Sequence, residues 1–186
     1  MKDLDLLNKI KFTFGIGTII TDNSNTACYS VWAVKDLQKI IDHFEKYPLI
    51  TYKSSDFILF KKCLEIIQKK EHLTEIGLLN ILSLKNSLNL GLSEHLKSAF
   101  PNILKIKRST HTFTGIPDPF WVAGFISGDG SFNVVIIPKN STTLRIGGIV
   151  SLNFQVCLNI RDEEVIKGLF YYFNSLLTAK DEDSSK

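Results

Sequence analysis

The chain has 186 residues, 44% of them apolar and 22% charged, with a net charge of +3 and a pI near 8.7. That length suffices for one or two small domains with real cores. The composition is that of an ordinary globular protein, and its mild basicity permits a polyanionic partner without requiring one. No uncharged apolar run reaches the ~20 residues that span a bilayer, so no membrane partner is expected. The amino terminus, Met1-Lys-Asp-Leu-Asp-Leu-Leu7, carries acids and lacks a signal-peptide core. Cys28, Cys63 and Cys157 are far apart and odd in number, and His43, His72, His95 and His111 form no ligand spacing. Reduced thiols in an intracellular compartment are expected, not a disulfide framework or a structural zinc site.

In chain order, Leu4 to Ile10 reads as the end of a helix and Lys11 to Thr21 as a strand, with Gly15 and Gly17 allowing a bend. A turn at 22–26 leads to a second strand, Ala27 to Val34. Leu37, Ile40, Ile41 and Phe44 then recur at the spacing of one helical face, predicting a helix from Lys35 to Tyr47 that Pro48 stops. Ser54 or Ser55 can cap the next helix, with Phe57, Phe60, Leu64 and Ile67 inward. Thr74 can cap a third, with Ile76, Leu79 and Leu82 inward, and Ser93 can start a short one before Pro101. Residues 102–117 read as a linker, polar and with Lys105, Lys107 and Arg108 close together; the cluster reads as a solvated one.

The stretch from Pro117 to Ile137 is the most informative. Asp118 can cap a helix and Pro119 suits its first position. Phe120, Trp121, Val122, Phe125 and Ile126 make that helix apolar on most sides, as for one buried by its neighbours. Ala123 and Ser127 stand one turn apart, as do Gly124 and Gly128, forming a face without bulky side chains. Each internal Gly costs about 1 kcal/mol relative to Ala, so the pattern points to close helix packing. The helix should end near Gly130 in the left-handed conformation, directly after Asp129. A carboxylate there opposes the helix dipole by roughly 0.3–1 kcal/mol, and a bound cation would reverse that sign. A strand, Ser131 to Ile137, follows at once, then a turn over 138–143 and a long strand from Leu144 to Ile160, bent at Gly147-Gly148. Asp162 is expected to cap a last helix with Val165, Ile166, Leu169, Phe170, Phe173 and Leu177 in one band, before a polar tail.

Val122-Ala-Gly-Phe-Ile-Ser-Gly-Asp-Gly130, with Trp121 before it and Ser131-Phe132 after it, resembles the motif that names the LAGLIDADG homing endonucleases. His43 to Ile50, Phe57 to Lys61, Glu71 to Thr74, Leu90 to Glu94 and Lys97 to Pro101 are similar to the two-motif, single-chain members typical of fungal mitochondrial introns. The resemblance implies an α+β fold with antiparallel sheets and packed helices, arranged as two incomplete domains. Residues 1–101 are similar to the later part of a first domain, 102–117 to the linker, 118–177 to the early part of a second domain, and 178–186 form the tail. On this reading the chain looks cut at both ends, and only one motif acid is present.

The resemblance further implies a site-specific DNA endonuclease that uses divalent metal, Mg²⁺, to hydrolyse a phosphodiester, with Asp129 as the catalytic and metal-holding acid and Gly128 lending a carbonyl. Ala123, Gly124, Ser127 and Gly128 would form the interface helix. Ser131, Asn133, Val135, Ile137 and Lys139, which share a strand face by the period-two rule, would meet DNA together with Gln155, while Phe132, Val134 and Ile136 would pack against helices. Phe154 to Asn159 departs from the family pattern, and Leu158 stands where relatives often carry a Gln near the cleavage site. The implied partners are double-stranded DNA at an intron insertion site and a second polypeptide supplying the missing motif, in a mitochondrion. An intron RNA maturase without cleavage activity is the alternative, because the same fold serves both roles in this family.

Overall fold

The computed structural model describes residues 3–22, 25–109, 112–138 and 148–183. It divides into two units, Met1–Leu49 with Lys53–His111, and Ile50–Tyr52 with Thr112–Lys186. Each holds one antiparallel two-stranded sheet with helices before and after it among the described residues.

In the first unit, helix α1 (Leu4–Phe14) runs further than its sequence suggests, and strand β1 is confined to Thr18–Thr21. The reason is Gly15. At φ 64° it closes the helix in the left-handed conformation, its amide donating to the Lys11 carbonyl, so Lys11 to Phe14 are helical despite their strand-like side chains. Strand β2 (Ala27–Ser30) pairs with β1 in the register Thr18↔Ser30 to Thr21↔Ala27. The Tyr29 hydroxyl donates to the Ile16 carbonyl at 3.0 Å, and Phe14 stacks on Tyr29 while meeting His43 edge-on. His43 thus belongs to an aromatic cluster.

Helix α2 (Val34–Lys46) and helix α3 (Lys53–Gln68) pack through Phe44 and Phe57. Because α3 begins at Lys53, Ser54 and Ser55 lie inside its first turn rather than at its cap. Ser55 is buried and donates to the Ser109 carbonyl at 3.0 Å. The buried face of α3 is Ser55, Leu59 and Leu64, so Phe60 turns partly outward. Helix α4 (Glu75–Ser87) starts as expected at Thr74, whose hydroxyl oxygen accepts from the Gly77 amide. Its apolar residues surround it, and the buried ones are Leu82 and Leu84, leaving Ile76 75% exposed. Helix α5 (Glu94–Ala99) is capped by Ser93.

The residues that follow α5 are not a solvated tether. Asn86 donates to the Ile103 carbonyl, the Ile106 amide to Ser87 Oγ, and Arg108 pairs with Asp56. Of the basic cluster, Arg108 is therefore committed to an ion pair on α3, while Lys105 and Lys107 are exposed.

The second unit is built from helix α6 (Pro119–Asp129), strands β3 (Gly130–Pro138) and β4 (Gly148–Val156), and helix α7 (Glu163–Asp183). Its buried apolar residues are Ile50, Val122, Val165 and Leu169. Asp162 does not cap α7. It closes a short 3-10 turn and its Oδ1 accepts from the Tyr52 amide at 2.5 Å, while Asn159 caps the turn and Arg161 lies over the Tyr52 ring. Leu169 faces inward, but Phe170, predicted to share that band, is 62% exposed. The second strand is shorter than predicted: it stops at Val156, and its expected beginning at 144–147 lies outside the described residues, as does Lys139.

Candidate nucleic-acid interface and carboxylate site

Helix α6 is set by its start. Asp118 Oδ1 accepts from the Trp121 amide at 2.8 Å and Pro119 takes the first turn. The apolar content predicted burial, yet Val122 is the only buried residue among those described in α6. Trp121 and Phe125, one turn apart, stack on each other at 4.7 Å and cover one another's faces. Ala123, Gly124, Ser127 and Gly128 are exposed. A Cβ added to Gly124 or Gly128 would meet nothing within 4 Å, and Ser127 Oγ is turned back to its own helix, donating to the Ala123 carbonyl. The small-residue face is smooth and uncovered among the described residues.

The helix ends at Asp129, but Gly130 is extended, at φ −90° and ψ 149°, rather than left-handed. Glycine is needed there for space: an added Cβ would stand 2.6 Å from the Ile126 carbonyl oxygen. That close approach lets the chain leave the helix and enter β3 with no loop between. Asp129 is exposed and makes no hydrogen bond or ion pair among the described residues. The neighbouring Gly128 carbonyl is one of the last four of the helix, which have no intrahelical donor.

Those oxygens suit a hard divalent cation, which takes oxygen ligands and keeps several waters. They are too few to hold one alone. No group of three or more acids, His or Cys is gathered among the described residues.

The β3–β4 ribbon has two chemically distinct faces. Its register pairs Ser131 with Gln155, Phe132 with Phe154, Asn133 with Asn153, Val134 with Leu152, Val135 with Ser151 and Ile136 with Val150. Ser131, Asn133, Val135, Ile137 and Gln155 therefore share a face, and the register adds Ser151 and Asn153, which sequence reasoning missed. Their signal was the alternation in residues 150–155, readable only once the pairing is known. The other face is wholly apolar. Phe132, Val134 and Ile136, expected against helices, are instead 79%, 66% and 66% exposed. The sheet has two strands, and among the described ring contacts α7 reaches it at its base, where Phe173 meets Phe154 edge-on at 6.1 Å.

An exposed two-stranded ribbon with a hydrogen-bonding face is thus joined without a loop to a helix ending in a carboxylate that has no partner among the described residues. The chain belongs to the LAGLIDADG endonuclease family, whose profile matches residues 1–64 and 122–186. It is 37% identical over 177 residues to "Probable intron-encoded endonuclease 3" of Neurospora crassa, an alignment covering 94% of this chain and 33% of that protein. Its fold is similar to that of the I-CpaMI meganuclease bound to uncleaved DNA, at a TM-score of 0.88 and 45% identity, covering 93% of this chain and 59% of that one. I-SmaMI bound to uncleaved DNA in the presence of calcium ions is similar at a TM-score of 0.85 and 43% identity, covering 92% of this chain and 58% of the other. The chain thus spans less than two thirds of the length of each of these relatives.

Proposed function

We propose that the chain binds double-stranded DNA at an intron insertion site through the polar face of β3–β4, and that Asp129 brings its carboxylate to a scissile phosphodiester. The observation that carries this reading is the direct junction at Gly130, which joins an exposed, unpaired acid to an exposed strand face. The face consists of Ser131, Asn133, Val135, Ile137 and Gln155, continued in sequence by Lys139. A two-stranded ribbon fits the major groove of B-DNA, about 12 Å wide. The deep, narrow major groove of A-form RNA admits no such element, which disfavours the maturase reading.

Asp129 and the Gly128 carbonyl are the residues that would hold Mg²⁺. When bound, the metal neutralises charge developing on the phosphate and lowers the pKa of an attacking water. Asp129 would supply a carboxylate oxygen beside it. The uncovered face of Ala123, Gly124, Ser127 and Gly128 is the surface on which a second helix, from another polypeptide, would bring the second acid. The setting is a mitochondrion, as for the intron-encoded members this chain resembles.

The test is selection from a library of duplexes with a randomised core, followed by binding and cleavage assays with and without Mg²⁺. Sequence-selective DNA binding that weakens steeply with salt, and Mg²⁺-dependent cleavage once a motif-bearing partner is added, are the expected results. Selective binding of intron RNA with no selective binding of DNA would overturn the proposal.

A further inference from the structure

The β3–β4 ribbon is uncharged from end to end: Gly130–Pro138 and Gly148–Val156 contain no Asp, Glu, Lys or Arg. Whatever neutralises phosphates must therefore lie elsewhere; on this face Gln155 Nε2 donates to Cys157 Sγ at 2.8 Å, which leaves the polar groups nearer the centre for another task. At its centre Asn133 and Asn153 stand directly opposite each other. Cβ atoms of such cross-strand pairs are about 4.5–5.5 Å apart, so two carboxamides project side by side. Both are exposed, and neither has a side-chain hydrogen bond among the described residues. Asn is depleted in strands, where its side chain packs poorly and competes for the backbone. Two of them face to face, without a side-chain hydrogen bond among the described residues, weaken the ribbon with no return there.

The return is in recognition. A carboxamide offers one acceptor and a donor group, which match the N6 donor and N7 acceptor of adenine in a bidentate pair. Guanine offers two acceptors at the same edge and leaves the carboxamide oxygen opposed. Resting on the DNA-binding reading above, we infer that Asn133 and Asn153 are specificity-determining residues that read adenine at one A·T pair or two adjacent ones. Ser131 and Gln155 on one side and Ser151 on the other keep the flanks polar, and Val135 supplies apolar contact beside them.

The experiment uses the full 186-residue chain and its library-selected duplex, with every position then changed singly. The variants are Asn153→Ala, Asn153→Thr, Asn133→Ala and Asn133→Thr. Thr keeps a polar group and is the better strand former, so it separates recognition from ribbon stability. In each variant, discrimination at one or two adjacent A·T positions should fall by about tenfold, with other positions and the salt slope unchanged, because no phosphate contact is removed. Uniform weakening across all sequences, a reduced salt slope, or Thr variants that discriminate like the wild type would overturn the inference. A wild-type chain with no preference among sequences would sink the DNA-binding reading as well. A selective wild type whose Asn variants are unaltered would sink this inference alone.

Discussion

Phe113 lies against Gly168 so closely that a Cβ on the glycine would stand 2.3 Å from the phenyl Cζ. Within the second unit this contact anchors the segment before the motif helix to α7. At an unhindered helical position Gly→Ala is favourable by about 1 kcal/mol. Here the added methyl displaces a ring, and overpacking of this kind costs about 1–3 kcal/mol. Gly168→Ala should therefore be destabilising in urea unfolding, and Phe113→Leu in the same chain should recover part of the loss. A stabilised Gly168→Ala variant would show that the ring moves aside freely.

The same reasoning applies at Gly77 with less room for relaxation. A Cβ there would fall 1.9 Å from the backbone oxygen of Glu71, and the Gly77 amide is the one that Thr74 caps at 3.1 Å. Gly77→Ala should destabilise the first unit by more than Thr74→Ala, whose expected loss is about 1 kcal/mol. Circular dichroism melts of the two variants give the order directly.

The strap formed by Asp56, Arg108, Ser55 and Ser109 gives a third expectation. Asp56 and Arg108 side chains are 26% and 20% exposed, so their pair is partly shielded from solvent. Asp56→Ala leaves a half-buried guanidinium without its carboxylate and should cost about 1–3 kcal/mol. Ser55→Ala should cost about 1 kcal/mol through the unsatisfied Ser109 carbonyl. Faster proteolysis near residues 105–109 should accompany both, and resistance equal to the wild type would count against the strap.

Thiol chemistry separates the three cysteines. Cys28 and Cys157 are exposed, whereas burial pushes the Cys63 thiol above its ordinary pKa of 9.0. Alkylation followed by mass spectrometry at pH 8 should modify Cys28 and Cys157 first and Cys63 last. For linkage, the folded pKa is the higher one, so the unfolded chain ionises first. The contribution of Cys63 to stability is complete below pH 9 and declines as the pH climbs through 9 and beyond. Cys63→Ala should flatten that alkaline decline.

Much of this was legible from residue order. Asp118, Thr74 and Ser93 announce their helices because capping is a local hydrogen bond, and Asp129-Gly130 announces the helix-to-strand junction. What misled was side-chain character where backbone chemistry decides. Lys11 to Phe14 look like strand, but the helix runs through them and is closed only at Gly15. Asp162 looks like a cap, but its carboxylate serves the Tyr52 amide, 110 positions away in sequence. Apolar content in α6 and on Phe132, Val134 and Ile136 predicted burial, yet hydrophobicity records what a face prefers and not whether a neighbour is present to cover it. Asn153 was missed because the partner of a strand residue is set by register, which depends on the turn between the strands.

The proposed role of Asp129 is that of a charge and a ligand rather than a structural element. Asp129→Asn should remove metal-dependent cleavage and leave DNA affinity intact. Stability should be unchanged or raised by up to about 1 kcal/mol, because a carboxylate at the negative end of a helix is unfavourable. Loss of binding in parallel with cleavage would mean that the acid supports the fold or the interface instead.

The most direct test of the central claim is to map where position 129 sits on DNA. With Cys28, Cys63 and Cys157 replaced by Ser or Ala, Asp129→Cys can carry a tethered iron chelate, and the bound, selected duplex can be probed for strand scission. Scission confined to a few adjacent nucleotides within the protected site is predicted. Scission scattered along the duplex, or none despite tight binding, would contradict the assignment of Asp129 to the scissile phosphate.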